Sequence, residues 1–151
     1  MPGTEDARIA ALDRVLELGV LLERDQSESL APMGLTTTRA HALWVLGQAG
    51  PVTHRNLAEA LGVVPRTVTA LVDALEGLGL VVRGPHPEDR RASMITLTTA
   101  GRTLVARMQS DQQRFAETLF ADMPPRELAS FTRSMDRVLG TLRALVPGGS
   151  S

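Results

Sequence analysis

The stretch "THRNLAEALGVVPRTVTALVDALEGLGLVVRGPHPEDRRASMITLT", Thr53 to Thr98, decides the fold. It divides at its glycines and prolines. "HRNLAEAL" puts Leu57, Ala58 and Leu61 on one face and predicts a short helix, with Thr53 as N-cap and Gly62 as stop. "VV" bridges to Pro65, whose fixed φ and missing N–H suit the first turn of a helix. "PRTVTALVDALEGLG" carries Val68, Leu71, Val72, Leu75 and Leu78 at helical spacing, so a longer amphipathic helix follows, ending near Gly79. Val64 falls at its N-cap, where Ser or Asp would be expected. A short helix, a glycine turn and an amphipathic helix form a helix–turn–helix. "LVVRG" and "SMITLT" then read as two short strands, with Ser93, Ile95 and Leu97 on one face. The segment from Pro85 to Ala92 between them is long for a hairpin turn, so it should project. A helix–turn–helix followed by a hairpin is a winged helix.

Outside this stretch the chain reads as helices. The first runs from about Glu5 to Leu30, with Ile9, Leu12, Leu16, Gly19 and Leu22 on one face, and "APMG" breaks it. Thr36 caps a second, with Ala40, Leu43, Trp44 and Leu46 as its stripe and Gly50–Pro51 as its stop. After the hairpin, Thr99 can cap a long helix from about Ala100 to Phe120, carrying Leu104, Met108, Phe115 and Leu119. "DMPP" interrupts, and a last helix from about Arg126 to Leu145 carries Leu128, Phe131, Met135, Val138, Leu139 and Leu142. The expected fold class is mainly α with a small β-hairpin. A winged helix–turn–helix lobe spans 35–99, helical regions from both chain termini span 1–34 and 100–146, and a disordered tail spans 147–151.

Composition bounds the function. The chain has 151 residues, enough for one domain with its own core. With no cysteine, a disulfide framework, a thiolate zinc site and a cysteine redox switch are excluded. No apolar run approaches the roughly 18 residues of a membrane span, and the N-terminus lacks the pattern of a signal peptide. A cytoplasmic protein without a membrane partner is expected. The net charge is −1, but it is unevenly placed: −4 over residues 1–36, +2 over 37–105 and +1 over 106–151. All 16 basic residues are arginine, whose planar fork suits phosphates and guanine edges.

The helix from Pro65 sorts its own charges. With its stripe centred near Val68 and Leu75, Arg66 points away from the core, and Thr67 and Thr69 flank the stripe. Asp73 and Glu76 occupy the outward side of the second half. Carboxylates are repelled by phosphates, so only the first half would enter a DNA groove, positive dipole end first. There Arg66 would read guanine, and Thr67 or Thr69 would bond bases or touch a thymine methyl. On the wing, Arg90 and Arg91 would enter a narrow minor groove or clamp phosphates, and Asp89 is near enough in sequence to brace Arg91 through a salt bridge. Enzyme chemistry lacks its motifs: there is no G-x-S-x-G, no phosphate loop, no H-E-x-x-H and no tyrosine. His41, His54 and His86 are too scattered for a metal site, so neither metal nor cofactor is expected.

Over nearly its whole length the chain resembles the MarR family of bacterial transcriptional regulators. The resemblance rests on "LTTTRAHALWVL", on "VTHRNLAEALGVVPRTVTALVDALEGLGLV" and, most specifically, on "DRRASMITLTTAG". The last meets the family's wing pattern, D-x-R-x-x-x-[V/I]-x-L-T followed closely by G, with Asp89, Arg91, Ile95, Leu97, Thr98 and Gly101. It implies a homodimer that binds a pseudo-palindromic site on double-stranded DNA, as a repressor, with helices from both chain ends forming the dimerisation region. It implies DNA contacts at Arg66, Thr67 and Thr69, a wing pair of Asp89 and Arg91 with Arg90 or Arg91 in the minor groove, and phosphate contacts at Arg39 and Arg55. A small aromatic or anionic effector would release the DNA, from a cleft that His41 and Trp44 could line. Two other classes stay open: a winged-helix module for an acidic protein partner, and a helical protein that binds small molecules.

Overall fold

The computed structural model describes residues 3–146. The expected tail, 147–151, lies outside them. Six helices and a small sheet follow in order: α1 (Thr4–Leu30), α2 (Thr37–Ala49), β1 (Val52–Thr53), α3 (His54–Leu61), α4 (Pro65–Gly77), β2 (Val81–Pro85), β3 (Ser93–Leu97), α5 (Thr99–Leu119) and α6 (Pro125–Leu145). A 3₁₀ turn, Ala31–Met33, ends α1, and Gly34 leaves it at φ +69°. None of these helices is long and apolar enough to cross a membrane. The chain divides into two compact units, with the break inside α2 between Ala42 and Leu43. The first holds α1 and the start of α2. The second holds the rest.

The second unit contains the helix–turn–helix and its wing, followed by α5 and α6. Its strands are antiparallel in the order β1-β3-β2. β2 and β3 form the expected hairpin, with Val81 opposite Leu97 and Arg83 opposite Ile95. The third strand, β1, was not expected from the sequence: two residues carry no periodicity, and their pairing of Val52 with Ile95 is a tertiary contact. Leu57, Val68, Val72, Leu75, Val81 and Ile95 are completely buried or nearly so, and the helix–turn–helix and sheet share this core. Each such side chain contributes about 1.5–3 kcal/mol relative to exposure. Phe120 at the end of α5 stacks obliquely on Phe131 of α6, with ring centroids 6.0 Å apart.

One junction ties the wing to α5. The expected cap, Thr99, is instead the first helical residue, and Thr98 does the capping. Its Oγ1 accepts the Gly101 N–H at 3.0 Å and donates to the Gly79 carbonyl at 2.6 Å. Its N–H donates to the Leu80 carbonyl at 3.0 Å. Thr98 therefore closes the α4 turn, the strand end and the helix start at once, which Thr99, one residue further, does not. This draws α5 so close that a Cβ on Gly101 would collide with the Leu80 carbonyl oxygen. Gly47 of α2 is a second close approach, where a Cβ would meet Val105 Cγ1 at 2.7 Å.

Gly101→Ala should lower stability by about 1–3 kcal/mol in urea unfolding, because backbone must move to admit the methyl. Gly77→Ala, where nothing lies within 4 Å, should be neutral or stabilising. Equal stabilities for the two variants would contradict the close α5 junction.

Candidate nucleic-acid interface

The turn before α4 is built from local hydrogen bonds. Thr53 Oγ1 accepts the Asn56 N–H at 3.1 Å and starts α3. Gly62, at φ +65°, ends it, and Val63 N–H returns to the Ala58 carbonyl at 3.1 Å. A left-handed residue costs least as glycine. The chain reverses within three residues, and Pro65 opens α4. The α4 stripe of Val68, Leu71, Val72 and Leu75 is buried, which forces the remaining face outward.

Arg66, Thr67 and Thr69 lie together on that face in its first turn and a half, all exposed. Thr69 Oγ1 donates to the Pro65 carbonyl at 3.4 Å. Among the described residues, Arg66 has no ion-pair partner. The acids of the second half do have one. Arg83 of β2 binds Asp73 through Nη2 and Glu76 through Nη1, and its backbone N–H also reaches Glu76 Oε1 at 3.4 Å. The hydrogen bond to Asp73 raises the Arg83 pKa above its ordinary value; partial desolvation opposes this and the Glu76 charge adds to it. With its side chain 28% exposed, Arg83 is the most enclosed cation of any ion pair among the described residues. Sequence reading passed over it as one letter of "LVVRG". Its signal was Asp73 and Glu76, three residues apart on one helical face, followed across the Gly79 turn by a single strand arginine.

The wing loop differs from expectation in one bond. Asp89 Oδ1 accepts the backbone N–H of Arg91 at 2.9 Å, and no Asp89–Arg91 salt bridge forms. A short aspartate side chain readily closes on the N–H two residues ahead, in competition with a guanidinium that must fold back. His86 Nδ1 accepts the N–H groups of both Glu88 and Asp89 at 3.0 Å. The loop is thus braced through its backbone by His86 and Asp89. The side chains of Arg90 and Arg91 are exposed and make no ion pair or hydrogen bond among the described residues.

The other expected residues fall into different situations. Arg39 Nη1 donates to the Gly34 carbonyl at 3.0 Å, so part of its fork is committed to its own helix start. Arg55 pairs loosely with Glu59 at 3.4 Å and stays exposed. His41 is exposed and Trp44 half-buried. Neither lines the cavity of about 320 Å³ bounded by Leu46, Pro51, Leu97, Arg102, Val105 and Gln109. Arg102 on its wall is held by the Leu97 carbonyl and Thr99 Oγ1, at 3.0 and 3.1 Å. Among the described residues no group of three or more His, Asp or Glu could hold a metal.

The MarR family model matches residues 35–93. The HTH-type transcriptional repressor Rv2887 of Mycobacterium tuberculosis is 25% identical over 134 residues, which cover 89% of this chain and 95% of that protein. The S. aureus MepR–DNA complex is similar with a TM-score of 0.69 at 26% identity, covering 89% of this chain and 97% of that one. Streptococcus pneumoniae FabT in complex with DNA shares the fold with a TM-score of 0.79 at 23% identity, over 93% of this chain and 99% of that one.

Arg83→Met keeps most of the apolar stem and removes the charge. It should cost at most about 1 kcal/mol at low salt, with the difference shrinking near about 1 M salt as the carboxylates are screened. Urea unfolding at the two salt concentrations reads both quantities. A salt-independent loss would mean that Arg83 acts by packing alone.

Proposed function

The chain belongs to the MarR family, and on that premise we propose that it is a transcriptional regulator that binds double-stranded DNA as a homodimer, with the start of α4 in the major groove and the wing on the adjacent groove or backbone. The family's named relatives are transcriptional regulators, and this chain is a regulator rather than an enzyme. One observation carries the DNA reading: charge is sorted along α4. Its first half offers Arg66, Thr67 and Thr69, while Asp73 and Glu76 in its second half both pair with Arg83, which halves their net charge. A polyanion meets donors first and paired acids behind them.

The roles follow from the chemistry. Arg66 would make two parallel hydrogen bonds to guanine, with Thr67 and Thr69 beside it. Arg90 and Arg91 would reach a minor groove or phosphates, with Asp89 holding the loop rather than the guanidinium. Arg55, and the uncommitted nitrogens of Arg39, would take phosphates. Residues 35–99 would make up the DNA-binding lobe, and the helices of 1–34 and 100–146 the dimerisation region. Ile9, Leu12, Leu16 and Val20 of α1 and Val138, Leu139 and Leu142 of α6 are exposed in the single chain, which supports a partner covering them. Two copies would present two α4 helices to half-sites about one helical turn apart. Repression is supported by the name of the M. tuberculosis relative, and the cytoplasm is where such a regulator works. For a small aromatic or anionic effector, the cavity beside Arg102 supports a second place besides the cleft expected at His41 and Trp44.

The test is selection of binding sites from random duplexes, followed by titration of the best site with light scattering. A pseudo-palindrome bound by two chains, each of 16.2 kDa, is expected. Arg66→Ala should lose about 1–3 kcal/mol and relax selection chiefly at one position per half-site. Failure to enrich any sequence would contradict the reading.

A further inference from the structure

The start of α4 differs from three of the five other helix starts; α1, on Gly3, and α6, on Pro124, also begin without a side-chain cap. Three other helices begin on a threonine whose hydroxyl accepts the N–H three residues on. Thr36 accepts from Arg39 at 3.2 Å, Thr53 from Asn56 at 3.1 Å, and Thr98 from Gly101 at 3.0 Å. α4 begins on Val64. Its backbone has the extended geometry of an ordinary N-cap, φ −74° and ψ 151°, but its side chain has nothing with which to cap. Threonine has nearly the same shape as valine and would offer a side-chain acceptor to the Thr67 N–H, which here donates to the Val64 carbonyl at 3.0 Å. The position therefore gives up the stabilisation a polar cap would add. It gains nothing in the core, because Val64 is 64% exposed. An apolar side chain that neither caps nor packs, at a place where local stability asks for a hydroxyl, marks a residue kept for contact with something else.

Its neighbours indicate what. Val64 is two residues before Arg66 and three before Thr67, at the tip of the helix that leads into the groove on the reading above. The other exposed large apolar residue of this helix, Leu78, lies at its opposite end, roughly 21 Å along the axis. Base edges in the major groove are polar with one exception, the C5-methyl of thymine, and apolar side chains read it by contact.

We propose that Val64 is a specificity-determining residue that packs its methyl groups against a thymine C5-methyl in the major groove. This rests on the DNA-binding reading and sharpens it. Arg66 and Val64 divide the work at the helix tip: the guanidinium selects a guanine edge, and the isopropyl group selects a thymine near it. The chain accepts a poorly capped helix in exchange for a methyl sensor.

The experiment replaces each thymine of the selected half-site in turn by deoxyuridine, which deletes the methyl and keeps every hydrogen-bonding group. Wild-type protein should lose about fourfold in affinity at one thymine, the equivalent of about 0.8 kcal/mol for one buried methyl. Val64→Ser should bind the thymine and deoxyuridine duplexes equally well. Its melting temperature should equal or exceed that of wild type, since serine restores the cap. That thermal result shows that any loss of discrimination comes from the interface and not from unfolding. If no thymine is sensitive, or if Val64→Ser keeps the wild-type thymine preference, the proposal is overturned while the DNA-binding reading stands. If no duplex binds specifically, both fall.

Discussion

On the proposed reading α4 meets a polyanion while carrying acids at its far end, and the bridge from Arg83 to Asp73 and Glu76 offsets half of that acidic charge. Arg83 lies on β2 and its partners on α4, so one guanidinium ties the helix to the first strand of the wing as well as offsetting half of their charge. Exposed ion pairs contribute little to stability. The value of this one is in its placement. With the acids held toward the sheet, the forward half of α4 is the only part of the helix left with unpaired charge, and that charge is Arg66.

The second tie runs through Thr98. Its three hydrogen bonds join the turn after α4, the end of β3 and the start of α5, and Gly101 lets the backbones approach. The wing therefore has a fixed root at Thr98, a lateral brace at Arg83, and a tip whose backbone is held by His86 and Asp89. Only the side chains of Arg90 and Arg91 are left unengaged there. A loop organised through its own backbone positions these guanidinium groups while leaving their donors unspent, as the proposed contact with phosphate would require.

Much of this was legible in the residues. The stripes of α3 and α4, the turn at Gly62, the stop at Gly79 and the two strands follow from periodicity and from residues with special backbone requirements. Arg66, Thr67 and Thr69 were placed by the same wheel. What escaped depends on contacts distant in sequence or on choices between near-equivalent bonds. β1 is two residues long and exists because β3 pairs with it. Arg83 owes its role to a partner seven to ten residues earlier, across a turn. Thr98 and Thr99 are equally good caps by composition, and the Gly79 carbonyl decides between them. Asp89 could serve a guanidinium or a backbone N–H, and the tight loop favours the nearer donor.

The central claim is that the start of α4 and the tip of the wing act as one surface on DNA. The most direct measurement is the dependence of specific affinity on salt for wild type and for the Arg90→Ala, Arg91→Ala double variant. If both arginines neutralise phosphate charge, the slope of log affinity against log salt should become shallower by about 2, with thermal stability unchanged. Identical slopes and affinities for the two proteins would contradict the account, because the wing would then be standing clear of the DNA.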